Sequence, residues 1–245
     1  MQRHVQSASA SPMAVAVDAA ANEVAEERRV REAIMDALLS HRLPPGTRLV
    51  ETPLCEAFGV TRSLLRRVFV RLANEKVIDL QHNRGASVAQ PSQSEMREVF
   101  EVRRLIEGGV VRRLCACARP ADFSALRRLV KDEQQAYEVG DRSRWIRLSG
   151  EYHLAAARAI GNSELESILH MLVARTTLMI ALYHSAGPNV CSYEEHAAIV
   201  DAMASGDGDL AGALMDRHLQ EAELKLRREP AREDVDLLAL FSARQ

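Results

Sequence analysis

The 245-residue chain is 47% hydrophobic, enough to bury a sizeable core, and only 4% aromatic; with Leu, Ala and Val carrying the apolar load, this favours packed helices over a β-sandwich. A net charge of −2 argues against a nucleic-acid binder if taken as one number, but residues 41–90 alone hold eight basic and four acidic side chains, so positive charge is concentrated in one module. No uninterrupted apolar run reaches the roughly 18 residues of a membrane span, and Cys55, Cys115, Cys117 and Cys191 make neither a CxxC metal knuckle nor a disulfide framework, which points to a reducing cytoplasm.

Residues 1–25 are small and polar at their start, with no cationic segment leading into an apolar block, so they read as a disordered tail rather than a secretory signal. From about residue 26, Val30, Ala33, Ile34, Ala37 and Leu38 form a helical stripe. Leu43-Pro44-Pro45-Gly46 then breaks the chain. Thr52-Pro53 reads as an N-cap followed by a first-turn proline, opening a short helix that ends at Gly59. A third helix starts near Thr61, with Leu65, Val68, Phe69 and Leu72 on its core face. Two short apolar segments, 77–81 and 86–89, flank His82-Asn83-Arg84-Gly85 and predict a β-hairpin with a polar tip. Three helices and a hairpin over residues 26–90 make a winged helix-turn-helix.

Pro91-Ser92 marks a linker, and Ser92-Gln93-Ser94-Glu95 fits a capping box. Beyond it every segment has helical character: 94–118, 121–139, 142–160, 163–184, 192–205 and 207–228, separated by Pro- or Gly-containing breaks. The expected fold is therefore mainly α: an N-terminal winged helix-turn-helix, then an all-helical bundle over residues 91–230 with room for an internal pocket, and a C-terminal tail at 231–245.

In the third helix Arg62 and Arg66 lie four apart, opposite the apolar stripe, and Arg67 and Arg71 extend the basic face. Arginine near the start of such a helix can enter the major groove and pair with guanine O6 and N7. Thr61 and Ser63 can donate to phosphates beside the helix N-terminus.

At this point the chain resembles a family. Leu43-Pro-Pro-Gly-Thr-Arg-Leu-Val-Glu51, Leu54-Cys-Glu-Ala-Phe-Gly-Val-Thr-Arg62, Leu65-Arg66, Arg71-Leu72 and Asn83-Arg84-Gly85-Ala86 with Val88 look like the winged helix of GntR-type regulators. The resemblance implies that Thr61, Arg62 and Arg66 contact DNA and that the wing, with His82, Arg84 and Gly85, touches the minor groove or backbone. One position departs from it. The residue after Arg66 is usually acidic in that family and is Arg67 here, which implies an added phosphate contact or an altered half-site preference.

Residues 95–228 resemble the FCD effector domain of the FadR-like branch. The matching stretches are Glu101-Val-Arg103 with Ile106-Glu107, Tyr152-His153 with Gly161-Asn162 and Leu165, Glu195-His196 with Ile199, and His218-Leu219. The resemblance implies a metal site formed by His153, His196 and His218, which fall on three predicted helices and suit Zn²⁺ or a similar divalent ion. It also implies an Asp four residues before the first histidine, where this chain has Ser149. Serine is a poor zinc ligand, so the expected site is three histidines plus water or effector, of weakened affinity. A neutral ligand set leaves the ion more positive and favours an anionic effector. Family effectors are small carboxylates; Arg103 matches a cavity-facing arginine, and Arg175 is a second candidate for the carboxylate.

The expected protein is a cytoplasmic homodimeric repressor that binds a palindromic double-stranded operator, needs no cofactor for DNA binding and has no membrane partner. A metal-dependent hydrolase built on the three histidines is the alternative. Against it, the chain has no HExxH, and Glu195 beside His196 is the one base that can be named.

Overall fold

The computed structural model describes residues 12–81, 85–117, 123–183, 192–226 and 235–242. The chain begins with α1 (Pro12–Leu39), followed by β1 (Arg48–Leu49), α2 (Glu51–Phe58), α3 (Arg62–Asn74), β2 (Ile78–Gln81) and β3 (Gly85–Val88). Strand β3 is central and pairs antiparallel with both neighbours; Arg48 lies opposite Ser87, and Ile78 opposite Val88. Helix α1 packs on α3, and Val30, Ile34, Leu54, Leu65, Val68, Leu72 and Val88 are fully buried. Together they form the expected winged helix-turn-helix, with β1 as an added third strand.

The local signals act largely where the sequence places them. Gly59 caps α2 at φ 66°, a left-handed conformation that costs a residue without Cβ little. Thr61 caps α3 by accepting a hydrogen bond from the Leu64 amide. Helix α2 begins at Glu51, before the expected Thr52 cap, and its N-cap Val50 makes no side-chain bond. Pro53 is tolerated in the first turn because amides there have no intrahelical acceptor.

The second half comprises α4 (Gln93–Cys117), α5 (Ser124–Glu138), α6 (Arg142–Ala159), α7 (Ser163–Tyr183), α8 (Ser192–Ala204) and α9 (Gly208–Leu224). The capping box at its start is present in both directions: the Ser92 amide donates to Glu95 and the Glu95 amide donates to Ser92 Oγ. Helix α4 packs along α9, α5 against α6 and α8, and α6 against α7. Helix α7 is long and apolar enough, by length and composition, to cross a membrane; here α1, α4 and α6 pack against it. A helix covered on several sides needs no polar stripe.

Both expected tails need correction. Helix α1 starts at Pro12, so most of the segment read as disordered is helical, and residues 237–242 form α10 (Leu237–Ser242). Helix α10 docks on α2 of the first domain, with Phe241 and Phe58 ring centroids 4.8 Å apart and Leu237 buried. A run of Leu-Leu-Ala-Leu-Phe has apolar area to bury and finds a site on the other domain to do so.

Candidate functional site

The first candidate surface is the exposed face of α3. Arg66 is 66% exposed and its guanidinium is held by both carboxylate oxygens of Glu51, at 2.8 and 3.0 Å. Arg62 lies one turn earlier and donates to Thr52 Oγ1 at 3.3 Å. Both arginines are thus steadied from α2 while remaining at the surface. Arg67 is placed differently from the expectation of a phosphate contact. Its Nε donates to Glu27 and its Nη2 pairs with Glu23, each at 2.5 Å, and both glutamates lie on α1. Arg71 also faces Glu27, at 3.8 Å. The departure at position 67 is an internal tie between α1 and α3. Ser63 receives a long contact from Arg67, at 3.4 Å. Gly85, at φ 81°, starts β3, whereas His82, Asn83 and Arg84 at the wing tip lie outside the described residues.

The second candidate lies inside the bundle. Helices α6, α8 and α9 bring His153, His196 and His218 together, all buried. The Nε2 atom of His218 lies 3.1 Å from that of His196 and 3.3 Å from that of His153. Each Nδ1 is held by a carboxylate: Glu107 on His153 at 2.6 Å, Glu133 on His196 at 2.7 Å, Glu195 on His218 at 2.6 Å. A carboxylate accepts, so Nδ1 carries the proton in each neutral ring and Nε2 presents its lone pair to the common centre. Burial lowers the pKa of His153 and His218, which favours the neutral rings. Burial alone would raise the Glu107 carboxyl; the charge of Arg103 and the hydrogen bonds from Arg103 and His153 outweigh it and hold that carboxyl well below the usual carboxylate range. Tyr152 stacks on His196 with centroids 4.0 Å apart and fixes the plane of that ring.

Three converging lone pairs make a donor set that could hold a divalent cation. Tetrahedral zinc with nitrogens at 2.0–2.1 Å places those nitrogens about 3.3–3.4 Å apart, close to the two Nε2 spacings around His218. Carboxylates behind the rings, as Glu107, Glu133 and Glu195 stand here, would orient the imidazoles toward a bound cation and raise their basicity.

A cavity opens beside the histidines, lined by Arg103, Ser149, His153, Thr176 and His218 together with Trp145, Ile146, Ile180, Leu219 and Ala222. The cavity proper is about 40 Å³, room for a few waters, so an occupant must be small and must press its walls apart to enter. Arg103 reaches it as expected, but its Nε is bound to Glu107 at 2.5 Å and its Nη1 to Thr176 at 2.7 Å; the buried Nη2 has no partner. Ser149 lines the cavity one turn before His153. Arg175 does not line it. That residue faces a groove between the two domains, with Lys76, Asp79 and Glu95, because α7 turns Thr176 and Thr177 toward the cavity and the residue before them away.

Comparison with known proteins decides which kind of molecule carries these two surfaces. Residues 26–88 match the gntR family of bacterial regulatory proteins, and residues 98–221 match the FCD domain. The chain belongs to the GntR family. Among its relatives are the probable D-xylose utilization operon transcriptional repressor of Paenarthrobacter nicotinovorans (26% identical, covering 78% of this chain and 84% of the relative) and the transcriptional repressor RspR of Escherichia coli K12 (24%, 82% and 86%). The galactonate operon transcriptional repressor of E. coli is 26% identical over 68% of this chain and 82% of its own length. A GntR regulator from Rhodococcus sp. RHA1 superposes with a TM-score of 0.70 at 24% identity, covering 82% of this chain and 96% of that one, which supports the same fold. This GntR protein is a DNA-binding transcription regulator, and its family and relatives are regulators rather than enzymes. The hydrolase alternative is set aside on that ground.

Sequence reasoning gave no role to Glu107, Glu133, Tyr152 or Trp145. Glu133 carried a usable signal: Leu126, Val130 and Glu133 share one face of α5, so a carboxylate occupies a core position. A charged residue on an apolar stripe needs a buried partner, and His196 is that partner.

Proposed function

We propose that this GntR protein is a repressor that releases its operator when a small carboxylate binds beside a divalent cation held by His153, His196 and His218. The single observation that carries the reading is the convergence of three Nε2 atoms whose rings are each oriented by a carboxylate. A bound cation would supply a fixed positive charge at the cavity wall. Arg103 Nη2 and Ser149 then stand beside it as donors to an anion. The relatives named as repressors support the direction of control.

Helix α6 supports a route from cavity to DNA. It carries Ser149 and His153 into the cavity and places Arg147 3.6 Å from Asp36 on α1. Gly150 and Thr177 line both the cavity and the groove against α1. A Cβ on residue 150 would meet Thr177 Oγ1 at 2.9 Å, so glycine permits the close approach of α6 and α7 at this wall. A ligand that moves α6 moves α1, and α1 is tied to α3 through Glu23, Glu27, Arg67 and Arg71. Thr61, Arg62, Ser63 and Arg66 are the proposed contacts to the operator, with the wing at Gly85 against the adjacent backbone. Two copies would read a palindrome, and the exposed Val102 and Leu105 on α4 offer apolar surface for pairing.

Anisotropy titration tests the reading on DNA upstream of the gene against unrelated DNA of equal length. The expected preference is roughly 10³-fold or more at physiological salt. Equal affinity for both would overturn it.

A further inference from the structure

The cavity has a direction. On α6, Trp145, Ser149 and His153 succeed one another every four residues along one face, so His153 and Trp145 lie about 12 Å apart along the helix axis. Helix α9 repeats the order, with His218 followed by Leu219, then Ala222 one turn on; Lys225 at its end also lines the cavity but turns its amine to Glu195 and Glu221. Helix α7 contributes Thr176, bonded to Arg103, and then Ile180 one turn further. Three helices therefore run from a polar end at His153, His218, Arg103 and Ser149 to an apolar section at Trp145, Ile146, Ile180, Leu219 and Ala222.

Most polar atoms in this lining are already engaged. Thr176 holds Arg103, and its hydroxyl lies within hydrogen-bond distance of the Leu172 and Val173 carbonyls. Glu195 holds His218 and lies 3.6 Å from Lys225, which also meets Glu221 at 3.5 Å. The groups left for a ligand are the Nε2 centre, Arg103 Nη2, Ser149 and Thr177, concentrated toward the histidine end.

We infer that the effector is a carboxylic acid with an apolar body, an aromatic or branched aliphatic acid, and not a polyhydroxylated sugar acid. This rests on the reading of the cavity as the effector site. The carboxylate seats at the histidine end, and the body lies along Trp145, Ile146, Ile180, Leu219 and Ala222. A sugar acid would bring a hydroxyl on every carbon against walls that cannot replace the hydrogen bonds it made to water. The effector class thereby differs from the sugar-derived compound that names the galactonate repressor among the relatives.

The test is calorimetric titration of the full-length, zinc-supplemented protein with 3-phenylpropanoate, benzoate and isovalerate against gluconate and galactonate. Trp145 is the only tryptophan in the chain and lines the cavity, so its emission reports occupancy of this site. At least one apolar acid is expected to bind at least about tenfold more tightly than either sugar acid and to change Trp145 emission. Ile180→Thr is expected to narrow that preference by weakening the apolar acid. Gluconate or galactonate binding as tightly as the best apolar acid, with the same change in emission, overturns the inference and leaves the effector cavity standing. Absence of binding by all five acids overturns both.

Discussion

His196 and His218 face each other through their Nε2 atoms at 3.1 Å, while Glu133 and Glu195 hold the opposite nitrogens. With both Nδ1 protons engaged, two lone pairs meet in a buried space, an arrangement that repels unless a positive charge stands between them. Glu133 is fully buried and holds the His196 nitrogen that faces away from the common centre, so it acts through His196. Glu133→Gln keeps the volume but removes the charge. Its expected effect is a zinc affinity about 10–100-fold weaker with the fold retained, read by competition with a chelating dye and by circular dichroism. An unchanged affinity would contradict the role given to Glu133.

Ser149→Asp restores a carboxylate one helical turn from His153, within the cavity lining. Zinc affinity should rise, and carboxylate ligands should bind more weakly because the added negative charge opposes them. A variant with unchanged zinc affinity would place Ser149 away from the coordination position.

Arg66 and Arg67 are both paired and both partly exposed, but Arg66 is held from α2 and Arg67 ties α3 to α1. Arg66→Ala should weaken operator binding on the order of ten- to a hundred-fold and relax selectivity at one base pair per half-site. Arg67→Ala should lower the melting temperature and leave the salt dependence of DNA binding nearly unchanged. A loss of salt dependence in Arg67→Ala would return that residue to the DNA surface.

Phe241 connects α10 to α2 across the domain boundary. Phe241→Ala should undock α10 and cost up to roughly 3 kcal/mol, visible as earlier unfolding of the first domain and faster proteolysis near residue 237. Equal melting and proteolysis in parent and variant would make the docking energetically idle.

The helices were legible because their ends are written in local chemistry. Ser92 and Glu95 close a capping box, and Gly59 takes the left-handed cap. Strand β1 was missed because two residues carry no alternation to detect. The first part of α1 was missed because its small residues show no apolar stripe, although alanine-rich sequence has high helical propensity. Helix α10 was missed because its partner, α2, lies far away in sequence. In the site, the histidines were legible as a set through the family resemblance, whereas Glu107 and Glu133 became partners only once α4 and α5 were packed against the centre. Arg175 was misassigned for a related reason. Helix α7 is apolar on several sides, so nothing in its pattern tells which face meets the cavity.

The three-histidine centre carries most of the functional reading, and metal analysis of tag-free protein tests it directly. Full-length protein equilibrated with limiting zinc and desalted should retain about one ion per chain, and a chelator should lower its melting temperature in proportion to the binding lost. His218→Ala should retain none while remaining folded. A parent content near zero, with no effect of chelator on melting, would contradict the reading and leave the histidines as polar core groups held by their glutamates.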